Sequence, residues 1–264
     1  MATPIPITDP DDPRLDDFRD LADADVRPDR RGVVIGEGAS VVQRLIGSPY
    51  PVRAIVGVES KLIDLAPWLA AIDAPVYAVD KWVLSGAVGF RVTRGVMASA
   101  DRRPPREVEE LLAGARRVVV LEKLNDFENL GALFRNAAAF GIDAVLLDPQ
   151  TADPLYRRSV RVSMGHVLRI PFTVLPGPWP ESLKDIQQRG FRVLAMTPRA
   201  DAVSLRSVEV PRRWAVLVGA EGPGLTDEAL AAADQLVRIP MATGVDSLNV
   251  ATAAAVAFAH LSAN

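Results

Sequence analysis

The chain has 264 residues, 49% hydrophobic and 24% charged, an ordinary balance for a globular protein with one or two cores. It has no Cys and only two His, His166 and His260, which excludes thiol nucleophiles, disulfides and thiolate metal sites and argues against zinc or iron. The net charge of −3 is uneven: the first 25 residues hold eight Asp against two Arg, and the remainder is mildly basic.

No secretory pattern and no bilayer-length apolar run are visible, so a cytoplasmic protein is expected, with no membrane partner. Arg outnumbers Lys 26 to 4. Guanidinium forks suit phosphate recognition, but genome composition explains the same excess, and charge alone decides nothing.

Residues 1–25, rich in Pro and Asp, read as a loosely packed acidic arm with a short helix near 15–21. Alternating strands and helices follow. Strands are expected at 32–35, 52–58, 75–79 and 96–99, and helices at 39–46, 61–72 and 80–85. They make a small α/β unit over 26–107, closed by the charged, Pro-containing linker Asp101–Glu107.

A second unit is expected over 108–264. Its strands are placed at 117–121, 144–147, 167–172, 192–196, 215–218 and 236–239. Its helices are placed at 108–115, 130–140, within 154–165, at 179–189 and at 248–263. Strands alternating with helices imply a parallel sheet covered on both faces. The last helix is small and apolar nearly all round, so it belongs in a core, and Asp246 or Ser247 is its expected N-cap. Two loops stand out in this unit. One holds Gly219, Gly222, Pro223 and Gly224, and the other spans Met241–Ser247. Each follows a short apolar strand, and loops at the carboxyl ends of such strands are where open α/β sheets bind nucleotides.

The stretch Gly32–Val41 (GVVIGEGASV), with Glu59 some twenty residues on, approaches a dinucleotide-binding fingerprint. Val41 stands where the third glycine should be. A tight turn with a surface acid is the preferred reading, and an NAD-dependent oxidoreductase using the Gly36 turn is the alternative.

Three segments of the second unit carry chemistry together: Asn129-Leu-Gly-Ala-Leu-Phe-Arg135 running on to Gly141, then Leu217-Val-Gly-Ala-Glu221-Gly222-Pro-Gly224, then Ile239-Pro240-Met241 with Ser247-Leu248-Asn249. In order and spacing they resemble the three motifs of the SpoU, or TrmH-type, RNA ribose 2′-O-methyltransferases of the SPOUT superfamily. Arg161-Val-Ser-Met-Gly165 is similar to the family's intervening pattern. The N-terminal unit resembles the small ribosomal-protein-like RNA-binding domain that precedes many members, with Gly36 and Gly38 marking a turn. One departure is Ala220, where the family usually has Asn; it bears on how that loop is pinned.

The resemblance implies a SPOUT-type parallel sheet with a C-terminal trefoil knot, a homodimer whose active site uses both chains, and S-adenosylmethionine as methyl donor. The substrate is a ribose 2′-hydroxyl of rRNA or tRNA, and no metal is required. Such a reaction asks for the acceptor oxygen at about 3–3.5 Å from the methyl carbon and for removal of its proton. Arg135 is assigned to clamp the phosphate and orient the hydroxyl, because guanidinium stays protonated up to about pH 12. The acceptor of the proton stays open among phosphate, water and a perturbed Arg.

Asn129 orients Arg135 or caps its helix, Glu221 supports the active-site loops, and Ser247 and Asn249 lie near donor and acceptor. Leu217, Val218, Gly219, Glu221, Gly222, Ile239, Pro240, Met241, Ser247, Leu248 and Asn249 form the expected cofactor slot. Arg157, Arg158 and Arg161, with Arg135, are the expected RNA contacts. His166 and His260 read as structural. A non-catalytic RNA-binding relative and a base methyltransferase of the same superfamily are the remaining alternatives.

Overall fold

The computed structural model describes residues 3–21 and 32–263. The chain divides into two compact units: Met1–Pro104 with Pro154–Arg169, and Pro105–Asp153 with Ile170–Asn264. The first unit therefore includes a segment that the sequence assigns to the second. The expected boundary between residues 25 and 26 lies outside the described residues.

In the first unit, strands β1 (Ile5–Ile7), β2 (Val33–Glu37), β3 (Val52–Gly57), β4 (Val76–Val79) and β5 (Val96–Asp101) form a sheet in the order β1-β4-β3-β5-β2. β1, β4 and β3 run parallel, and β5 is antiparallel to both β3 and β2. Helices α1 (Ala39–Ile46), α2 (Glu59–Leu69) and α3 (Lys81–Val88) accompany it. This order removes the dinucleotide-binding alternative. That fold needs its first two strands parallel and adjacent, whereas antiparallel β5 separates β2 from β3. Gly38 sits at the turn with φ +95°, and the Arg94 side chain lies directly over it.

Over residues 3–21 the acidic segment is packed rather than loose. β1 pairs with β4, and Leu15, Phe18 and Leu21 are buried in one cluster with Ile7, Val33 and Val56. The spacing of three between Leu15 and Phe18 matches the period of the 3-10 helix Pro13–Phe18, and Leu21 is buried just beyond it. Asp12 caps that helix, accepting from Arg14 N at 2.9 Å. The Arg14 guanidinium beside it lowers the Asp12 carboxyl to a pKa of about 2. The abundance of Asp hides this apolar stripe in a composition count.

The helix α6 (Arg157–Val162) and the 3-10 turn His166–Leu168 pack within this same unit. Arg157 and Arg44 help to hold them. Arg157 Nη1 donates to Glu37 Oε2 at 2.9 Å, and Arg44 Nη1 donates to Met164 O at 2.7 Å. Gly165, at φ +82°, lets the turn lie against Val41 and Arg44. The strand expected at 167–172 is replaced by this turn and by β8 (Phe172–Val174). Pro171 lacks an N–H, so it can only accept as the strand opens, which it does from Val145 N at 3.0 Å.

The second unit holds β6 (Arg117–Glu122), β7 (Ala144–Leu147), β8, β9 (Arg192–Met196), β10 (Val203–Ser204), β11 (Trp214–Gly219) and β12 (Gln235–Arg238). They form one sheet in the order β10-β12-β9-β11-β6-β7-β8, parallel in every pairing. Its helices are α4 (Val108–Leu112), α5 (Phe127–Ala139), α7 (Leu183–Gln188), α8 (Asp227–Ala232) and α9 (Val250–Ser262). α8 is absent from the sequence reading although Thr226 caps it and Asp227 and Glu228 occupy its first turn.

Alternate residues of the central strands serve two cores. Val118, Val120, Ala215 and Leu217 join one buried cluster with Leu183, Ile186 and Ala229. On α9, buried Phe258 stacks on Trp214 of β11, their ring centroids 6.4 Å apart. α5 is tied to α9 by Asn136 Nδ2, which donates to Ala251 O at 2.8 Å. Each fully buried Val, Leu or Phe here contributes roughly 1.5–3 kcal/mol of transfer free energy.

Candidate active site

The central strands β9, β11 and β12 deliver their carboxyl ends to one place. β11 runs into Ala220–Leu225, β12 into Ile239–Asn249 and β9 into Thr197–Arg199. These three loops line a cavity of about 730 Å³, within the usual range for small-molecule and cofactor sites. Of the expected slot, Val218, Gly219, Glu221, Gly222, Ile239, Met241, Ser247, Leu248 and Asn249 line it. Leu217 does not, because its side chain is fully buried in the core, and Pro240 is also absent from the lining.

Met196, Thr197, Pro198, Arg199, Asp227 and Leu230 line the cavity and were not foreseen. The missing signal is strand order, since β9 lies between β11 and β12 although it precedes both in sequence. Arg199 forks onto Asp201 at 3.1 and 3.0 Å. That hydrogen bond holds the Asp201 carboxyl below its ordinary range and raises the guanidinium pKa.

The Gly-rich loop folds back on its own strand. A Cβ at Gly219 would stand 2.4 Å from Gly224 C and O and 2.5 Å from Leu225 N, so only glycine fits. Gly224 N donates to Ala220 O at 3.1 Å, and the two residues form a β-bridge. The loop is thus pinned through its backbone at Ala220.

Asn249 is the hub of the site. It, rather than Asp246 or Ser247, caps α9, with Oδ1 accepting from Ala251 N at 3.0 Å and Thr252 N at 3.2 Å. Its Nδ2 donates to Asn129 Oδ1 at 2.7 Å and also to Glu221 Oε1. One side chain therefore fastens the starts of α5 and α9 to the Gly-rich loop, and joins a residue from each of the three motifs. Asn129 does not cap its own helix. Asp126 does, its Oδ1 accepting from Glu128 N and Asn129 N at 2.9 and 2.8 Å.

Arg135 is not brought to this hub. It is exposed on α5, and no hydrogen bond or ion pair engages its guanidinium among the described residues. Six residues separate it from Asn129, which sets the two about 120° apart around a helix of 3.6 residues per turn. Ser247 and Leu248 are exposed on the loop before α9.

Arg157, expected among the RNA contacts, is committed elsewhere. It pairs with Glu37, which is 3% exposed, and its guanidinium lies 4.7 Å from the Phe90 ring centroid. A buried carboxylate left unpaired would be costly, and this gives Arg157 an anchoring role. Arg158 is exposed and Arg161 half-buried on the same short helix. Among the described residues, no cluster of His, Asp and Glu side chains could hold a metal, and no helix is long and apolar enough to cross a membrane.

Solved structures share this architecture along nearly the whole chain. An AdoMet-bound rRNA methyltransferase from Sinorhizobium meliloti superposes with a TM-score of 0.82 at 24% identity, covering 97% of this chain and 96% of that one. An RNA 2′-O ribose methyltransferase gives 0.80 at 28% identity, covering 97% and 98%. The class defined by these likenesses is that of α/β proteins with a parallel sheet, here with a cavity at the strand carboxyl ends.

The family follows from sequence. The model of the SpoU rRNA Methylase family matches residues 116–259. An uncharacterized tRNA/rRNA methyltransferase of Mycobacterium tuberculosis is 50% identical over 96% of this chain and 89% of its own length. A 23S rRNA (guanosine(2553)-2′-O)-methyltransferase of Bacillus subtilis is 33% identical over 58% of this chain and 60% of its own. The chain belongs to the SpoU rRNA Methylase family.

Proposed function

We propose that the protein transfers a methyl group from S-adenosylmethionine to a ribose 2′-hydroxyl of rRNA or tRNA. The observation that carries this reading is the Asn249 hub, which fixes Asn129 and Glu221 at the mouth of a cavity built from Gly219–Leu225 and Ile239–Asn249. The relatives from B. subtilis and, at 36% identity over 57% of this chain, Thermus thermophilus are named as 2′-O-methyltransferases, and they support ribose as the acceptor.

The lining fits the methyl donor. Val218, Ile239, Met241 and Leu248 supply an apolar slot, and the glycines open loop backbone for polar contact. S-adenosylmethionine, when bound, supplies an electrophilic methyl on a sulfonium whose departure leaves a neutral thioether. The rest of the task falls to the chain. Glu221, held by Asn249, fixes the loop, and Ser247 and Asn249 would lie near donor and acceptor. Arg135, which no hydrogen bond or ion pair engages among the described residues, clamps a substrate phosphate and orients the hydroxyl.

Because Arg135 stands apart from the hub of its own chain, the reading includes a homodimer in which the site draws on both chains. The course from β12 through residues 239–249 into α9 is read as the trefoil knot. The first unit, with Arg158 and Arg161, is read as the RNA-binding part, in the cytoplasm. The test is labelled methyl transfer to cellular RNA separated by size. Label in the rRNA or tRNA fraction that depends on this protein supports the reading. Absence of label from RNA known to be unmodified would overturn it.

A further inference from the structure

Glu122 ends β6 directly beside Gly219, its register partner on β11. Its side chain is fully buried and receives three hydrogen bonds. Trp179 Nε1 donates to Oε1 at 2.7 Å, Thr226 Oγ1 donates to Oε1 at 2.6 Å, and Thr226 N donates to Oε2 at 2.8 Å. Among the described residues its hydrogen bonds all come from donors, three in number, an arrangement that two carboxylate oxygens satisfy and a carboxamide cannot. In either orientation a Gln here would turn its NH2 toward an N–H, of Trp179 or of Thr226.

Thr226 is the first residue beyond the Gly-rich loop and the N-cap of α8. The loop is therefore held at two ends, by Asn249 on Glu221 and by Glu122 on Thr226. Between those points the chain is exposed over Glu221–Gly224, so its path is set by the anchors together with the backbone contact of Gly224 on Gly219 and Ala220. Asp227 and Leu230 of α8, which starts at the second anchor, also line the cavity.

We infer that Glu122 is a positioning residue for the methyl-donor site, acting through Thr226 to fix the distal end of the loop that borders the cavity. The inference rests on the function proposed above. A buried charged acceptor is unnecessary for folding alone, since apolar replacements often serve a core as well. Its value lies in fixing one loop path.

Calorimetric titration of the full chain with S-adenosylmethionine tests this, with thermal midpoints measured in parallel and binding read well below them. Glu122→Gln and Thr226→Val are expected to weaken binding by about tenfold or more, the scale of a lost charge-assisted hydrogen bond. Thr226→Ser, which keeps both donors and the cap, is expected to bind as the unaltered protein does. If Glu122→Gln does not fold, the two Thr226 variants carry the test. Unchanged affinity in Thr226→Val, or an equal loss in Thr226→Ser, overturns the inference even where stability falls. Absence of binding by the unaltered protein would instead overturn the proposed function, and this inference with it.

Discussion

Replacing Gly219 by Ala adds a single methyl group at the tightest point of the loop. The methyl would sit 2.4 Å from backbone atoms of Gly224, against 3.4 Å for ordinary van der Waals contact, so the loop must open by about 1 Å. Backbone cannot rotate aside as a side chain can. The opening stretches the 3.1 Å bond from Gly224 N to Ala220 O and draws Glu221 away from Asn249. Overpacking of this kind costs about 1–3 kcal/mol of stability. A displacement of about 1 Å in a binding loop can cost roughly a hundredfold in function. We expect Gly219→Ala to lower the thermal midpoint by several degrees and to weaken S-adenosylmethionine binding by about tenfold to a hundredfold. Gly114→Ala is the control, because nothing lies within 4 Å of its Cβ position, and it should leave both quantities unchanged. A Gly219→Ala protein with unaltered midpoint and affinity would refute the argument.

Asn249→Asp retains the cap acceptor but sets a carboxylate against Glu221. Its thermal midpoint should stay within about a degree or two of the original, while methyl transfer falls by at least about tenfold. A midpoint loss as large as that of Asn249→Ala would show that the hub contacts, not the cap, carry the stability, and would contradict this division of roles. Arg135→Ala should abolish most methyl transfer without lowering the midpoint, since the side chain is exposed and makes no hydrogen bond or ion pair among the described residues; loss of stability would contradict its placement. Arg157→Ala leaves Glu37 buried without its partner and should cost about 3–5 kcal/mol in denaturant unfolding. A change below about 1 kcal/mol would return Arg157 to the surface. Phe18→Ala, fully buried in the segment before residue 22, should cost about 3–5 kcal/mol, and no cost would restore the picture of a loose arm.

The parts of the fold legible in sequence are those governed by local pattern. The apolar runs at 117–121, 144–147 and 192–196 are strands, and Ala39–Ile46 is a helix with its expected bounds. What escaped depends on contacts distant in sequence. Residues 154–169 pack with the first unit because Arg157 meets Glu37 and Met164 O meets Arg44, each about 120 positions away. The described N-terminal segment packs through Leu15 and Phe18, whose spacing of three suits a 3-10 helix rather than the α-helical or strand periods, and through Leu21 beyond that helix.

The site divides in the same way. The Gly-rich loop was marked by its glycines and the last loop by its small polar residues. The cap of α9 was misplaced because Asp246, Ser247 and Asn249 are all competent caps. Only the spatial order of β9, β11 and β12 decides which loops face the cavity, and it brings in Thr197 and Arg199. Glu122 carried no signal at all, since a single acid at a strand end gains meaning only from the donors around it.

Nucleoside analysis of RNA methylated in vitro tests the central claim most directly. Labelled S-adenosylmethionine is incubated with RNA lacking the modification, with Arg135→Ala in parallel, and the product is digested to nucleosides. The account predicts label on a 2′-O-methylribose from the unaltered protein and its loss in the variant. Label on a base, or equal label from both proteins, would contradict it.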